Sequence, residues 1–356
     1  MRRQLKSLAA EVCYRSGILK LLSNVETRVP SILTYHRVVD PETLPFEIEP
    51  GMFVRPETFA QHLKLLKQEA EIISFAEMLL GLGSGIRFPP RTVVLTFDDG
   101  WRDSYLYALP TLKAEGIPAA VFLPTNYIGQ QCETHCGESL FWTDELSVIL
   151  SMLGSDLSHA ANQIALLQHS GFSHISDLFN AWVKQVDDRV RRREALADIV
   201  ACLKRIDPET RKKILVALKD SELGSVRVTA PMQRQFLNWQ EVREMSKCGI
   251  SFYSHSHEHN SATEVSEAAL IRDVDTSFEI LERELGQKHE RIFCYPGGNF
   301  SHRTQVVLRE AAVSYALGTD RISYWEDEPP VLGRIGIHED VSYSRAMFAY
   351  RLWMPN

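Results

Sequence analysis

Residues 92–97 (Thr-Val-Val-Leu-Thr-Phe) are almost wholly β-branched or aromatic, and they run directly into Asp98-Asp99-Gly100. A short run of this kind reads as a buried strand with an abrupt stop. Similar β-rich runs occupy 31–39, 119–123, 250–254, 292–295 and 314–317. Stretches with helical spacing separate them. Phe59, Leu63 and Leu66 follow Pro56, and 110–115 is closed by Gly116. Asn238 and Glu241 give a cap-then-Glu start to a segment ending at Gly249. Leu270, Ile271, Val274, Phe278, Leu281 and Leu285 form one stripe stopped by Gly286, and 305–312 is a further helix. Strands alternating with helices predict an α/β fold around a mostly parallel sheet, with a barrel as its closure. Functional groups in such a fold collect at the C-terminal ends of the strands.

Between these halves, Leu196, Ile199, Val200 and Leu203, then Ile214, Leu215 and Leu218, fit helix faces, and no strand pattern appears. A structureless loop of that length is uncommon. The expected organisation is therefore an N-terminal amphipathic helix at 1–30, a barrel from 31–142 and 233–356, and a helical insertion at 143–232. Leu5, Leu8, Ala9, Val12, Ile18, Leu21 and Leu22 share helical spacing beside Arg2, Arg3, Lys6, Arg15 and Lys20. Charges interrupt every apolar stretch, so this is not a secretory signal. It reads either as a helix packed on its own domain or as one in peripheral contact with an anionic membrane. No run reaches transmembrane length, and a cytoplasmic protein is expected.

With 39 basic and 46 acidic residues, the net charge of −7 lacks the basic excess of a nucleic-acid binder. Six scattered cysteines do not form a disulfide framework. Cys132 and Cys136, with His135 between them, lack the second pair a structural zinc needs. Reduced thiols are expected.

Three features carry chemistry. Asp98 and Asp99 follow a buried strand, where desolvation and mutual repulsion make paired carboxylates costly. Side chains diverge there, so one can hold a metal while the other handles a proton. Ser254-His255-Ser256-His257-Glu258-His259 packs three histidines into five residues at a strand end. His255 and His259 can converge on one cation, and an Asp with two His suits a catalytic divalent site. His257 must point elsewhere. Finally, Phe293-Cys294-Tyr295-Pro296-Gly297-Gly298 ends a strand in a turn that bares backbone N–H groups, which can stabilise an oxyanion.

The ordered set TFDDGWRDSYLYALPTLKAEGIPAAVFL, LNWQEVREMSKCGISFYSHSHEH and FCYPGGNFS resembles the polysaccharide deacetylase family, the NodB-like family 4 carbohydrate esterases, over about 31–130 and 233–340. The resemblance implies a distorted (β/α) barrel and a divalent metal, Zn²⁺ first, with Co²⁺, Ni²⁺ or Mn²⁺ as alternatives. It implies removal of N-acetyl groups from a sugar of a glycan or glycolipid precursor. An O-acetyl or non-sugar amide substrate, or a degenerate carbohydrate-binding protein, is the alternative. By position Asp98 matches the base, and Asp99, His255 and His259 match the metal ligands. The Arg-x-Pro-Tyr-Gly motif departs: Cys294 stands for the arginine and Gly297 for the aromatic. Arg334 is then either a replacement or an ordinary surface arginine. His36, in Thr-Tyr-His-Arg-Val, is similar to the acid of members with permuted motifs, and His338 is the other candidate acid. Gly297 is expected at the oxyanion, and Tyr295, Trp142 and Arg334 at the substrate, with a core anchor as the other reading of Trp142.

Overall fold

The structure, a computed structural model, describes residues 2–129, 140–153, 173–184, 188–220, 234–286 and 290–354. The pair Cys132 and Cys136 lies outside them. The chain divides into two compact units. One comprises Met1–Val39, Phe53–Gln130 and Phe236–Asn356, the other Asp40–Met52 and Gln131–Gln235.

The strands of the first unit are β1 (Ser31–Tyr35), β2 (Arg37–Val38), β3 (Phe53–Val54), β4 (Glu71–Ile72), β5 (Thr92–Phe97), β6 (Ala119–Leu123), β7 (Ile250–Ser254), β8 (Ile292–Cys294), β9 (Tyr315–Leu317), β10 (Val331–Leu332) and β11 (Ile335–Gly336). Nine form one sheet in the order β10-β9-β8-β7-β6-β5-β1-β11, with β4 beside β5. Every pairing in it is parallel. β5 and β6 are buried along their whole lengths, as strands covered by helices on both faces must be.

The run at 31–39 is not one strand. β1 pairs with β5 from Ser31–Val93 to Tyr35–Phe97, and the chain then turns at His36. Asp103 draws it aside, accepting from Arg37 Nε at 2.6 Å and from the Val38 amide at 3.0 Å. β2 accordingly pairs with β3 in a separate ribbon. This break leaves His36 at the C-terminal end of β1.

β10 and β11 lie at opposite edges of the sheet, yet only Gly333 and Arg334 separate them in the chain. Two residues cannot span a flat sheet, so the sheet curls until its edges nearly meet. The result is a distorted (β/α) barrel with a seam at residues 333–334. A Cβ at position 333 would stand 2.5–2.6 Å from the Arg321 backbone, so only glycine passes there.

His62, on the helix Pro56–Glu69, is buried in this core. Its Nε2 lies 2.8 Å from the Ser342 carbonyl and its Nδ1 3.2 Å from the Tyr35 hydroxyl. The ring stacks on Phe348 with centroids 3.8 Å apart. A carbonyl only accepts, so Nε2 carries the hydrogen. Burial lowers its pKa from 6.5 to about 4. The unfolded chain therefore takes up the proton first. Stability from this site is intact above pH 6.5, falls as pH drops, and is lost by about pH 4. The loss is about 3 kcal/mol at roughly 1.4 kcal/mol per unit. Urea unfolding of His62→Gln is expected to vary less with pH than that of wild type by this amount.

The second unit contains the helices Trp142–Leu153, Ser173–Val183, Arg189–Leu203 and Pro208–Asp220. Leu146, Phe179, Trp182, Leu196, Ile199, Leu203 and Ile214 form its own core. The segment 40–52, which the sequence places in the barrel, belongs with these helices. Buried Glu47 explains this: Arg189 Nε and Arg192 Nη2 reach its Oε1, and Arg193 Nε its Oε2, each at 3.0 Å.

Candidate active site

The C-terminal ends of β5, β7 and β8 bring Asp98, Asp99, His255 and Cys294 together. Asp98 continues the β5 pairing through its amide, which donates to Tyr35 O at 3.0 Å. Asp99 leaves the strand with φ 73°. Ser256 (φ 68°) and His259 (φ 57°) are likewise left-handed. These are three of the five non-glycine residues with positive φ among the described residues. Backbone strain of order 1–3 kcal/mol each persists only where surrounding structure holds it, and it clusters at functional sites. Here the holding groups are visible. Asp273 accepts from the amides of His257 at 3.0 Å and Glu258 at 2.7 Å, and Ser256 Oγ accepts from the His259 amide at 2.9 Å.

Asp99 Oδ1 stands 3.3 Å from His255 Nε2 and 3.1 Å from His259 Nε2. The three ligand atoms lie within 4.8 Å of one another. His255 Nδ1 is 2.9 Å from Cys294 O, so it donates there, and Nε2 of a neutral ring would present a lone pair to a carboxylate oxygen. That contact is favourable only with a positive charge between the two atoms, whether a proton or a cation. Ligating histidines are typically fixed through the other ring nitrogen in this way. The donor set, one carboxylate oxygen and two imidazole nitrogens, therefore fits a divalent metal. Burial opposes the charge on Asp99, but the two histidines outweigh it and hold its carboxyl well below the usual range. His257 instead bonds Thr125 Oγ1 at 2.9 Å.

Asp98 is buried and clamped by Arg334, whose Nη1 and Nη2 donate to its two oxygens at 2.8 and 2.7 Å. Burial alone would raise the Asp98 pKa, and the guanidinium brings it below the ordinary value. Arg334 is itself buried, with Nε on Gly318 O at 2.8 Å and Nη2 3.0 Å from Cys294 Sγ. It is neither a surface arginine nor open to a substrate. It reaches from the seam into the space left by a cysteine where the motif carries arginine.

The remaining candidates separate. His36 is partly exposed, and its charge helps lower both Asp98 and Asp99, which places it within electrostatic reach of both. His338 precedes the helix Glu339–Ser342, with Nδ1 3.6 Å from Asp340. Gly297 takes φ 67° in the turn after Tyr295. Tyr295 corrects the sequence reading: it is fully buried and stacked on Phe300 at 5.5 Å, a core residue rather than a substrate contact. Trp142 lies in the helical unit, partly buried, with the Arg211 guanidinium 4.4 Å from its ring centroid. Two supports were not anticipated. Trp101 Nε1 donates to Asp99 Oδ2 at 3.0 Å, and the Arg37 guanidinium covers the Trp101 ring at 4.3 Å. The spacing Asp-Asp-Gly-Trp was the available signal, since an indole two residues on can reach back to the carboxylate.

The family model for polysaccharide deacetylases matches residues 85–175 and 206–316, more than half of the chain. It extends into the helical region that the sequence reading left outside the resemblance. Among solved structures, a Streptococcus pyogenes deacetylase, PplD, in complex with acetate aligns at TM-score 0.54 and 18% identity, over 93% of this chain and 100% of that one. IcaB from Ammonifex degensii aligns at TM-score 0.52 and 17% identity, over 90% and 97%. A de-N-acetylase from Aggregatibacter actinomycetemcomitans aligns at 0.51 and 16%, over 90% and 99%. No curated protein matches. At these identities the structural likeness is one of fold, and the match to the family model places the chain in the polysaccharide deacetylase family.

Proposed function

We propose that this chain hydrolyses the N-acetyl group of a sugar in a glycan or glycolipid precursor, with a divalent cation, Zn²⁺ first, held by Asp99, His255 and His259. The convergence of those three ligands beside a clamped Asp98 carries the reading. When bound, the cation supplies Lewis acidity towards the acetyl carbonyl and acidifies water. Asp98 accepts the proton of the attacking water. Arg334 occupies one lone-pair direction on each of its oxygens and the Cys294 thiol a second on Oδ2, which leaves Oδ1 a direction in which to accept while the carboxylate stays ionised. The Gly297 N–H donates to the oxyanion as it forms. His36 gives a proton to the leaving amine as the C–N bond breaks, and the products are acetate and the free amino sugar. His338, facing Asp340, is the less favoured acid.

Acetate release from N-acetylated and O-acetylated sugars, with EDTA or with added Zn²⁺, Co²⁺, Ni²⁺ or Mn²⁺, tests the reading. Activity is expected on the amide, to vanish with EDTA and to return with metal. His255→Ala and His259→Ala should each bind metal far more weakly in calorimetry. Stoichiometric metal in the double variant, or turnover indifferent to EDTA, would overturn the assignment. Faster release from the ester would move the substrate to O-acetyl groups.

A further inference from the structure

The helix Arg2–Arg15 packs on the barrel through one face only. Ala10 contacts Ala346 and Met347, and Tyr14 donates to Glu69 Oε1 at 2.8 Å. Leu5, Leu8, Ala9 and Val12 fall within an arc of about 100° on another face, and all are exposed, Leu8 by 63%. Ile18, Leu21, Leu22 and Val25 continue the pattern, with Leu21 75% exposed. Seven of the sixteen exposed large apolar side chains among the described residues thus fall between positions 5 and 25. Lys6, Arg15 and Lys20 are exposed among them, with Glu11 on Arg15 at 2.6 Å and Glu69 3.8 Å from Lys20.

The same segment borders a cavity of about 330 Å³. It lies at the N-terminal ends of β1 and β5, whose first residues line it, opposite the strand ends that carry Asp98 and His36. Leu22, Val25, Ile335 and Trp353 give it apolar walls, and Arg91 and Arg321 give it charge. Neither arginine pairs with a carboxylate among the described residues. Arg321 bonds only the carbonyls of Arg351 and Met354, and Arg91 Nε is buried without a partner. The Trp353 indole N–H, buried as well, has none. Burial and the facing Arg351 both disfavour charge on Arg321. Two guanidiniums without counter-ions and an idle N–H donor, set in apolar walls, suit an anion attached to an apolar body.

We propose that this end of the barrel, with segment 5–25, docks on an anionic phospholipid bilayer. The apolar residues enter the interface, and the cavity receives a lipid phosphate. No described helix is long and apolar enough to cross the membrane, so the contact is one of lying on the surface.

Co-sedimentation of the full chain with phosphatidylcholine vesicles, with and without phosphatidylglycerol, tests this. Binding is expected only with phosphatidylglycerol and should weaken in high salt. The triple variant Leu5→Glu, Leu8→Glu, Val12→Glu should lose it, with circular dichroism unchanged because these side chains are exposed. Leu21→Glu with Val25→Glu is an independent pair should the triple variant not fold. Arg321→Gln should bind phosphatidylglycerol vesicles roughly fivefold more weakly. Equal pelleting with both vesicle types, or with neither, overturns the proposal. So does a dimer in light scattering that the same substitutions dissolve, which would assign the face to a second copy. Inorganic phosphate that fills the cavity without affecting vesicle binding would assign the cavity to free phosphate.

Discussion

Asp98→Asn is expected to lower acetate release by about 10²–10⁴-fold, the usual contribution of a positioned proton acceptor, while leaving the cation content unchanged. The separation follows from the proposed division of labour at the end of β5. Asp99, not Asp98, stands against both imidazoles, so metal affinity should survive the change. The asparagine keeps one acceptor for Arg334 Nη1 but turns an amide towards Nη2, where two donors then face each other. A modest loss of stability should therefore accompany the large loss of rate. Metal content by elemental analysis, turnover, and unfolding in urea measure the three quantities separately. Turnover at the wild-type rate would remove Asp98 from the role of base.

Arg334→Leu should be the most destabilising single change at the site, by about 3–5 kcal/mol, because it strands a buried carboxylate without its partner. In wild type Asp98 has a folded value below its unfolded one. It contributes stability above the ordinary carboxylate range, and this is lost as pH falls through the folded value. Without the guanidinium, burial is opposed only by the neighbouring histidines, and the pKa rises. Asp98 then holds its proton to higher pH, and the acidic limb of the pH–rate profile should move upward. Arg334→Lys offers a point charge in place of a two-pronged fork and should recover only part of the rate. The double variant Arg334→Leu, Asp98→Asn should regain stability without activity. Equal stability of the single and double variants would show that the ion pair is not what the leucine disrupts.

Much of this site was legible in the chain because its chemistry sits on long, strongly patterned strands. The run at 92–97 announces β5, and the residues after it are where a parallel fold places function. The three clustered histidines likewise mark the end of β7. What escaped has physical reasons. β2, β3, β4, β10 and β11 are two residues each, too short for any periodicity. The break at His36 depends on Asp103, sixty-six positions beyond Arg37, which no local pattern reveals. Segment 40–52 reads as proline-punctuated loop, but its affiliation is decided by Glu47 under three arginines. Tyr295 shows the limit of motif reasoning in the other direction. It is expected at the substrate, whereas the ring packs against Phe293 and Phe300.

The seam has one more consequence. The guanidinium that keeps Asp98 ionised sits on the two-residue bridge between the edges of the sheet, so closure of the barrel and readiness of the base are one event. A molecule whose last strands fray while the rest stays folded would lose the fork that orients Asp98, the proposed base, while Asp99 and His255 stay where β5 and β7 put them. On the proposed mechanism a partly opened copy would be silent rather than indiscriminate, and activity would report on closure of the seam as well as on overall folding.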